Sequence, residues 1–317
     1  MDYRPLGNSG LLVSVVGLGC NNFGGRIDLG ASRAVIEAAL DEGVTLFDTA
    51  DIYGVQGGSE KVLGEVLGAR RDDIVLATKF GHQDHDMGYG PAVGAKGGRA
   101  YIRRAVEESL RRLRTDHIDL YQLHTPDPLT PIAETLAALH ELVLEGKVRY
   151  IGHSNLRGWE LAEADHVARE HDVTPFISAQ NHWSLLDREV EREVVPAAEH
   201  YRVGVLPYFP LAQGLLTGKV RRGQPIPEGT RLAGRAHLVT ERRLDQVEQL
   251  RTLAGKLGRS LLDLAIGGLA ARPVVGSVIA GASRPEQVRA NVAAGTWTPT
   301  AEELALIDEI TQPLDNS

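Results

Sequence analysis

The 317-residue chain reads as one (β/α)8 barrel, a TIM barrel of the α/β class, with an N-terminal β-hairpin. Three observations predict this. Short β-branched runs alternate with longer helical patterns, as parallel strands joined by helical crossovers require. The strand candidates number eight. The length suits one large α/β barrel, and neither a Pro- or Ser-rich linker nor a solenoid repeat divides it, so a single domain over residues 1–317 is expected. An open doubly wound sheet is the competing arrangement.

The opening "YRPLGNSGLLVS" pairs two short extended runs around Gly7-Asn8-Ser9-Gly10, a hairpin signal that suits a plug for the barrel bottom. "VVGLGC", "GVTLFD" and "DDIVLATKF" are the first three strands. "GRAYIRRAVEESLRRLR" then puts Ile102, Val106, Leu110 and Leu113 on one helical face. "HIDLYQLH" is the fourth strand. "TPIAETLAALHELVLEGK" is helical, with Ile132, Leu136, Leu139 and Val143 as its stripe and Gly146 as its stop. "VRYIGHSN", "PFISAQN", "RVGVLPY" and "PVVGSVIAG" supply the remaining strands. Two long segments, 81–98 and 215–239, interrupt the alternation and are expected to be functional loops.

Composition narrows the function. Hydrophobic residues make up 43% and charged residues 24%, an ordinary globular balance. The net charge of −8 argues against a nucleic-acid partner, although a local arginine or helix N-terminus is enough for a phosphate-bearing small ligand. Cys20 is the only cysteine, so neither an internal disulfide nor a cysteine-built zinc site is expected. The first residues carry no apolar signal-peptide core, and no stretch approaches the roughly 18 apolar residues of a membrane span. A cytoplasmic protein without a membrane partner is the expectation.

Two motifs mislead. "GLGCNNFG" resembles a dinucleotide fingerprint, but Asn22 holds the third glycine position and no acidic ribose partner follows at the expected distance. "GLLTGKV" resembles a phosphate loop, but Gln213 replaces the first glycine and Val220 the Ser or Thr. His82 and His85 read as solvated loop residues rather than metal ligands.

Chemistry in such a barrel sits at the C-terminal ends of the strands. Asp48 ends the second strand, with Tyr53 just beyond in "FDTADIYG". Lys79 ends the third, His124 the fourth, His153, Ser154 and Asn155 the fifth, Gln180 the sixth and Tyr208 the seventh. Taken singly, Lys79 reads as a surface lysine and His124 as a packed core histidine. Polar groups at six consecutive strand ends read as one rim. A lysine at a buried strand end needs a carboxylate, which Asp48 supplies. Its charge is expected to lower the Tyr53 pKa below the reference of about 10, making Tyr53 a general acid, while His124 donates to the same substrate oxygen. That set suits protonating an alkoxide as it forms from a carbonyl. Asp51 reads as a turn or cap residue.

"FDTADIYG", "TKFG", "LYQLH", "GHSN", "SAQN", "GLLTGK" and "GASRPEQVRAN" resemble, in order, the motifs of the aldo-keto reductases, from the second strand to the last. The resemblance implies reduction of a small-molecule carbonyl by NADPH, with a catalytic tetrad of Asp48, Tyr53, Lys79 and His124. It implies that Ser154, Asn155 and Gln180 hold the nicotinamide carboxamide and that Tyr208 stacks on its ring. Gly214, Leu215 and Lys219 would lie along the pyrophosphate. Gly281, Ser283, Arg284, Gln287 and Asn291 would surround the adenine and 2′-phosphate, at a helix N-terminus suited to an anion. Phe209, Trp183 and His153 depart from the family pattern: Phe209 puts a pyrophosphate contact in doubt, Trp183 alters a substrate wall, and His153 reads as a packed group. Substrate choice would rest on 81–98, Trp183 and the C-terminal segment, with Asp84, His85 and Asp86 favouring a polar substrate. Two other roles remain open at this level: a Schiff-base lyase or aldolase using Lys79, and a non-catalytic nicotinamide-sensing regulatory subunit.

Overall fold

The structure, a computed structural model, describes residues 1–312. The hairpin forms first along the chain: β1 (Tyr3–Pro5) pairs antiparallel with β2 (Leu12–Ser14). Its turn presses on the barrel foot. Gly7 has φ +56°, and a Cβ there would stand 2.3 Å from the Ile177 carbonyl oxygen and 2.8 Å from the Gly204 amide, so only glycine permits the approach. Leu6 enters the barrel and packs, fully buried, with Leu46, Ala77, Leu120, Ile177 and Leu206. The hairpin is therefore the plug that its sequence suggests.

Eight parallel strands follow: β3 (Val16–Gly19), β4 (Leu46–Asp48), β5 (Val75–Phe80), β6 (Ile118–Leu123), β7 (Val148–Ser154), β8 (Ser178–Gln180), β9 (Gly204–Val205) and β10 (Val278–Gly281). From β3 to β9 each pairs with the next, and β10 pairs with β3. Parallel bridges between Val205 and Val275 and between Tyr208 and Ile279 join the remaining edges, with the Ile279 amide donating to the Pro207 carbonyl at 3.0 Å. The sheet thus closes into the (β/α)8 barrel rather than an open sheet.

Outside lie α1 (Leu29–Asp41), α2 (Gly58–Val66), α3 (Arg99–Leu113), α4 (Ile132–Leu144), α5 (Gly158–Glu170), α6 (Val194–Tyr201), α7 (Glu241–Lys256), α8 (Leu261–Ala270), α9 (Pro285–Gly295) and α10 (Ala301–Thr311). The stripes read from sequence face the sheet: Ile102, Val106, Leu136 and Leu139 are fully buried. Gly146 follows the α4 cap at φ +75°, the left-handed residue that stops a helix. The two long segments contain no strand and only short 3-10 turns. Among the described residues, no helix is long and apolar enough to cross a membrane.

Strand periodicity sets the site. Inward residues recur every second position. Leu46, Ala77 and Leu120 form an apolar layer inside the barrel. Two residues further on, the same strands present Asp48, Lys79 and Gln122, the polar layer above it. Gly152 belongs to this interior, since a Cβ there would meet Ser178 Oγ at 2.1 Å.

A second buried ion pair ties helices to the sheet. Arg112 of α3 donates from Nε to Glu60 Oε2 of α2 at 2.6 Å, and Thr78 of β5 donates to Glu60 Oε1 at 2.6 Å. Glu60 is fully buried and Arg112 is 6% exposed. Replacing Arg112 with leucine strands a buried carboxylate, and Arg112→Leu is expected to cost roughly 3–5 kcal/mol. Urea unfolding checks this; a loss below about 1 kcal/mol would show that water or Glu60 protonation relieves the charge.

Candidate active site

The tetrad residues converge where the polar layer opens upward. Lys79 Nζ donates to Asp48 Oδ2 at 2.7 Å and to the Thr49 carbonyl at 2.9 Å, and stands 3.5 Å from the Tyr53 hydroxyl. Lys79 is fully buried and Asp48 is 3% exposed. Asp48 Oδ1 accepts from Gln180 Nε2 at 2.8 Å and from Gln122 Nε2 at 3.3 Å. The Tyr53 ring meets His124 edge to face at 5.8 Å between centroids. Tyr53 reaches this point because the turn after β4 folds back: its amide donates to the Ala50 carbonyl, and its carbonyl accepts from Ser59 at the start of α2.

The electrostatics differ in one respect from the sequence expectation. Burial opposes the charge on Lys79, but Asp48 and Tyr53 outweigh it and hold the ammonium above its ordinary value. Burial pushes the Tyr53 phenol up, and Lys79 offsets only part of that, so Tyr53 lies above its ordinary value instead of below it. Desolvation is the largest effect, and the charges of Asp48 and Asp51 add to it against Lys79. Burial, then Lys79, His82 and His85, hold His124 well below the ordinary histidine value, so its ring is neutral.

A cavity of about 890 Å³ runs from this point across the rim, within the range of a small-molecule site. Asp48, Tyr53 and His124 line one end, and Ser154, Asn155, Gln180 and Tyr208 the adjoining wall. Gly214 and Lys219 line it further along, and Gly281, Ser283, Arg284, Gln287 and Asn291 the far end. Leu215 is the exception: its side chain is 1% exposed, packs in a hydrophobic cluster with Leu216, Leu232 and Leu250, and forms no part of the wall. Lys79 lies beneath the wall rather than in it.

The cavity wall is internally bonded. Ser154 Oγ donates to the Gln180 carbonyl at 2.7 Å. Asn155 Nδ2 donates to the His124 carbonyl at 2.9 Å, and Asn155 Oδ1 accepts from the Tyr208 hydroxyl at 2.8 Å. Tyr208 stacks on His182 at 5.4 Å with 9° between the planes. At the far end, Arg284 is the N-cap of α9, ahead of Pro285 at the first helical position. Its side chain is exposed and makes no capping bond, while Ser283 N donates to Gln287 Oε1 at 2.7 Å.

Several residues stand elsewhere than sequence reasoning put them. Trp183 is 2% exposed, packs in the core and donates from Nε1 to Glu191 at 2.9 Å, so it forms no substrate wall. Asp84, His85 and Asp86 are exposed and do not line the cavity, whereas His82 does. Asp51 lies in the turn after β4, as expected, but caps no helix: its amide donates to the Lys79 carbonyl at 3.0 Å, and both carboxyl oxygens are buried without a hydrogen-bond partner. His153 is fully buried against Phe176, a packed group as expected. α10 packs on α7 and α8, and residues 313–317 of the C-terminal segment lie outside those described. Sequence reasoning missed Gln122, whose only signal is its place two before His124, and Arg231. Arg231 reaches from the 215–239 loop to Asn21 and Asn22 at 3.2 Å each and covers the Phe209 ring at 5.0 Å. Phe209 thus holds a guanidinium where a serine would offer a hydroxyl.

A profile of the aldo/keto reductase family matches residues 15–312. The chain belongs to the aldo/keto reductase family. It is 39% identical over 317 residues to an uncharacterized oxidoreductase, YrpG, of Bacillus subtilis (strain 168), covering 98% of this chain and 96% of that protein. It is 35% identical over 323 residues to the L-glyceraldehyde 3-phosphate reductase of Escherichia coli (strain K12), covering 98% and 92%. It is also 34% identical over 328 residues to a probable voltage-gated potassium channel subunit beta of Arabidopsis thaliana, covering 100% and 97%. This aldo/keto reductase is accordingly read as an oxidoreductase.

Asp51 yields a pH prediction. Burial first, then Glu60, push its carboxyl up to about 8. The unfolded carboxyl titrates near 3.9, so between these values the unfolded chain releases a proton that the folded protein keeps. Stability from this group therefore falls as pH rises toward the folded pKa. Asp51→Asn cannot ionise and is expected to exceed wild type by a few kcal/mol at about pH 9, with the gain vanishing below about pH 4. Urea midpoints across pH check this, and a pH-independent difference would sink it.

Proposed function

We propose that this family member is an NADPH-dependent reductase of small carbonyl compounds, aldehydes before ketones, with Tyr53 as proton donor. The observation that carries the reading is the Tyr53 hydroxyl at the cavity wall, 3.5 Å from a lysine ammonium that is itself locked to Asp48. The name of the Escherichia coli relative, a reductase of L-glyceraldehyde 3-phosphate, agrees with an aldehyde substrate.

The cavity suits a dinucleotide phosphate. It is long, and its far end offers a helix N-terminus with an uncommitted arginine. Ser154, Asn155 and Gln180 would hold the carboxamide end. Their donors are engaged with one another, with the His124 carbonyl and with Asp48, and Asn155 Oδ1 accepts from Tyr208, so they present a pre-ordered wall. Tyr208 would support the ring. Gly214 and Lys219 would flank the pyrophosphate, and Gly281, Ser283, Arg284, Gln287 and Asn291 the adenosine 2′-phosphate. When bound, NADPH supplies the hydride to the carbonyl carbon.

The chain's own residues manage the proton. Tyr53, protonated at neutral pH, gives its hydroxyl proton to the carbonyl oxygen as that oxygen becomes an alkoxide. The Lys79 ammonium then faces the tyrosinate, and Asp48 keeps Lys79 charged and in place. Neutral His124 offers an N–H to the same oxygen. The lyase reading loses ground for the same reason: a Schiff base needs a neutral lysine, and Asp48 holds this one charged beneath the wall.

Tyr53→Phe should keep NADPH affinity and lower carbonyl turnover by at least about 10²-fold. Near-normal turnover would sink the assignment. Single-turnover oxidation of bound NADPH without steady-state turnover would instead mark a sensing subunit, a reading kept because the Arabidopsis thaliana relative is named as a probable channel subunit. Cofactor choice is tested separately. NADPH should bind more tightly than NADH, and Arg284→Ala should remove much of a roughly 10- to 150-fold preference, the size of one charge-assisted hydrogen bond. Tryptophan-quenching titrations with both cofactors decide it, and equal wild-type affinities would overturn it.

A further inference from the structure

The loop after β5 brings two imidazoles to a third that the proposed mechanism uses. His85 is exposed, His82 is half-buried on the cavity wall, and His124 is 6% exposed beneath. His85 Nδ1 and His82 Nδ1 stand 3.3 Å apart. The His82 and His124 rings meet edge to face at 4.7 Å between centroids, and His124 meets Tyr53 in the same way at 5.8 Å. Aromatic groups with exchangeable protons thus lie in ring contact from solvent to the proton donor, with a hydrogen-bond distance only between His85 and His82.

The protonation pattern follows from the hydrogen bonds. The Asp84 backbone amide donates to His82 Nδ1 at 3.2 Å. A backbone amide only donates, so His82 Nδ1 carries a lone pair, and the contact with His85 requires the proton on His85 Nδ1. Neutral His82 then carries its proton on Nε2. His124 Nδ1 is buried with no partner of its own. The loop is held in this arrangement. Lys96 Nζ donates to the carbonyls of His82 at 2.5 Å, Gln83 at 2.8 Å and His85 at 2.6 Å, and Gln83 N donates to Thr125 Oγ1, next to His124, at 3.1 Å.

We propose that His85, His82 and His124 form a proton relay that recharges Tyr53 from solvent, a role that rests on the reductase reading above. A substrate seated between Tyr53 and His124 covers the donor, so the tyrosinate left after alkoxide protonation needs another route to water. One proton enters at His85. Each imidazole takes a proton on one nitrogen and releases one from the other, and a ring rotation or one water spans the His82–His124 step. The last proton passes from His124 through the product hydroxyl to the tyrosinate. One proton enters for each one consumed, and no electrons move. The groups facing the relay are Asp84 and Lys96 around His82, and Lys79 below His124. Burial, with His85 second, holds His82 below the ordinary histidine value, and His124 is lowered as well, so neither traps the proton it carries.

The test uses the full chain with NADPH and an aldehyde that wild type reduces. His82→Ala should lower kcat by about tenfold or more while leaving the aldehyde KM and NADPH affinity nearly unchanged. Free imidazole at millimolar concentration should restore His82→Ala but not His82→Phe, which fills the space without an exchangeable nitrogen. His85→Ala should lower kcat in the same direction, and ¹⁵N imidazole spectra should find the His82 proton on Nε2. Turnover of His82→Ala within about twofold of wild type overturns the relay, as does a loss confined to KM, a loss that imidazole does not rescue, or a His82 proton on Nδ1. Absence of any carbonyl turnover in wild type overturns the reductase reading, and the relay with it.

Discussion

The buried Lys79–Asp48 pair is the interaction on which the site depends. Taking two ions out of water costs several kcal/mol each, and attraction alone rarely recovers that cost. Additional contacts recover it here. Lys79 Nζ has the Asp48 carboxylate and the Thr49 carbonyl within 2.9 Å, while Asp48 Oδ1 accepts from Gln180 and Gln122. Strands β4, β5, β6 and β8 all contribute to one polar layer. Displacing any of them would leave a charge without its partners. The layer is rigid because the barrel makes it so.

Tyr53 sits on top of that layer, outside the strands. Its height is set by the turn that Asp51 and Ser59 anchor, and the second buried pair, Glu60 with Arg112, ties α2 to α3 next to it. Four ionisable groups, Asp48, Asp51, Glu60 and Lys79, are therefore buried around one turn. Asp51 is the least compensated of them, since both of its oxygens lack partners. Its proton is held by the low dielectric around it, so this turn carries a pH-dependent cost to stability next to the proton donor.

The opposite wall is built from backbone that most residues avoid. Asn155 has φ +63°, Phe209 +53° and Gln213 +57°. Asn tolerates the left-handed region, but a phenylalanine there stores strain of order 1–3 kcal/mol. The packing of Phe209 against Tyr208 and Arg231 offsets it, and the result holds Tyr208 against His182 with its hydroxyl on Asn155.

The sequence alone determined the barrel. Alternating periods of 2 and 3.6 are local, and eight strand patterns with crossover helices point to a closed barrel over an open doubly wound sheet, while the bridges that join the last edges belong to the tertiary structure. It also gave the hairpin plug, the helix stripes, and Asp48, Tyr53, Lys79 and His124 as strand-end groups, because position along a strand translates directly into height in a barrel. What it lacked were the distances between strands far apart in the chain. The Gln180–Asp48 bond spans 132 residues and the Arg231–Asn21 bond 210. Trp183, Leu215 and Asp51 each follow or lie within a site motif, yet each turns its side chain into the interior, a choice made by packing. Only the tertiary structure decided the balance at Tyr53. A neighbouring lysine can be inferred from sequence, but the desolvation that outweighs it is a property of the closed fold, as is the loop contact that sets His82 and His85 above His124.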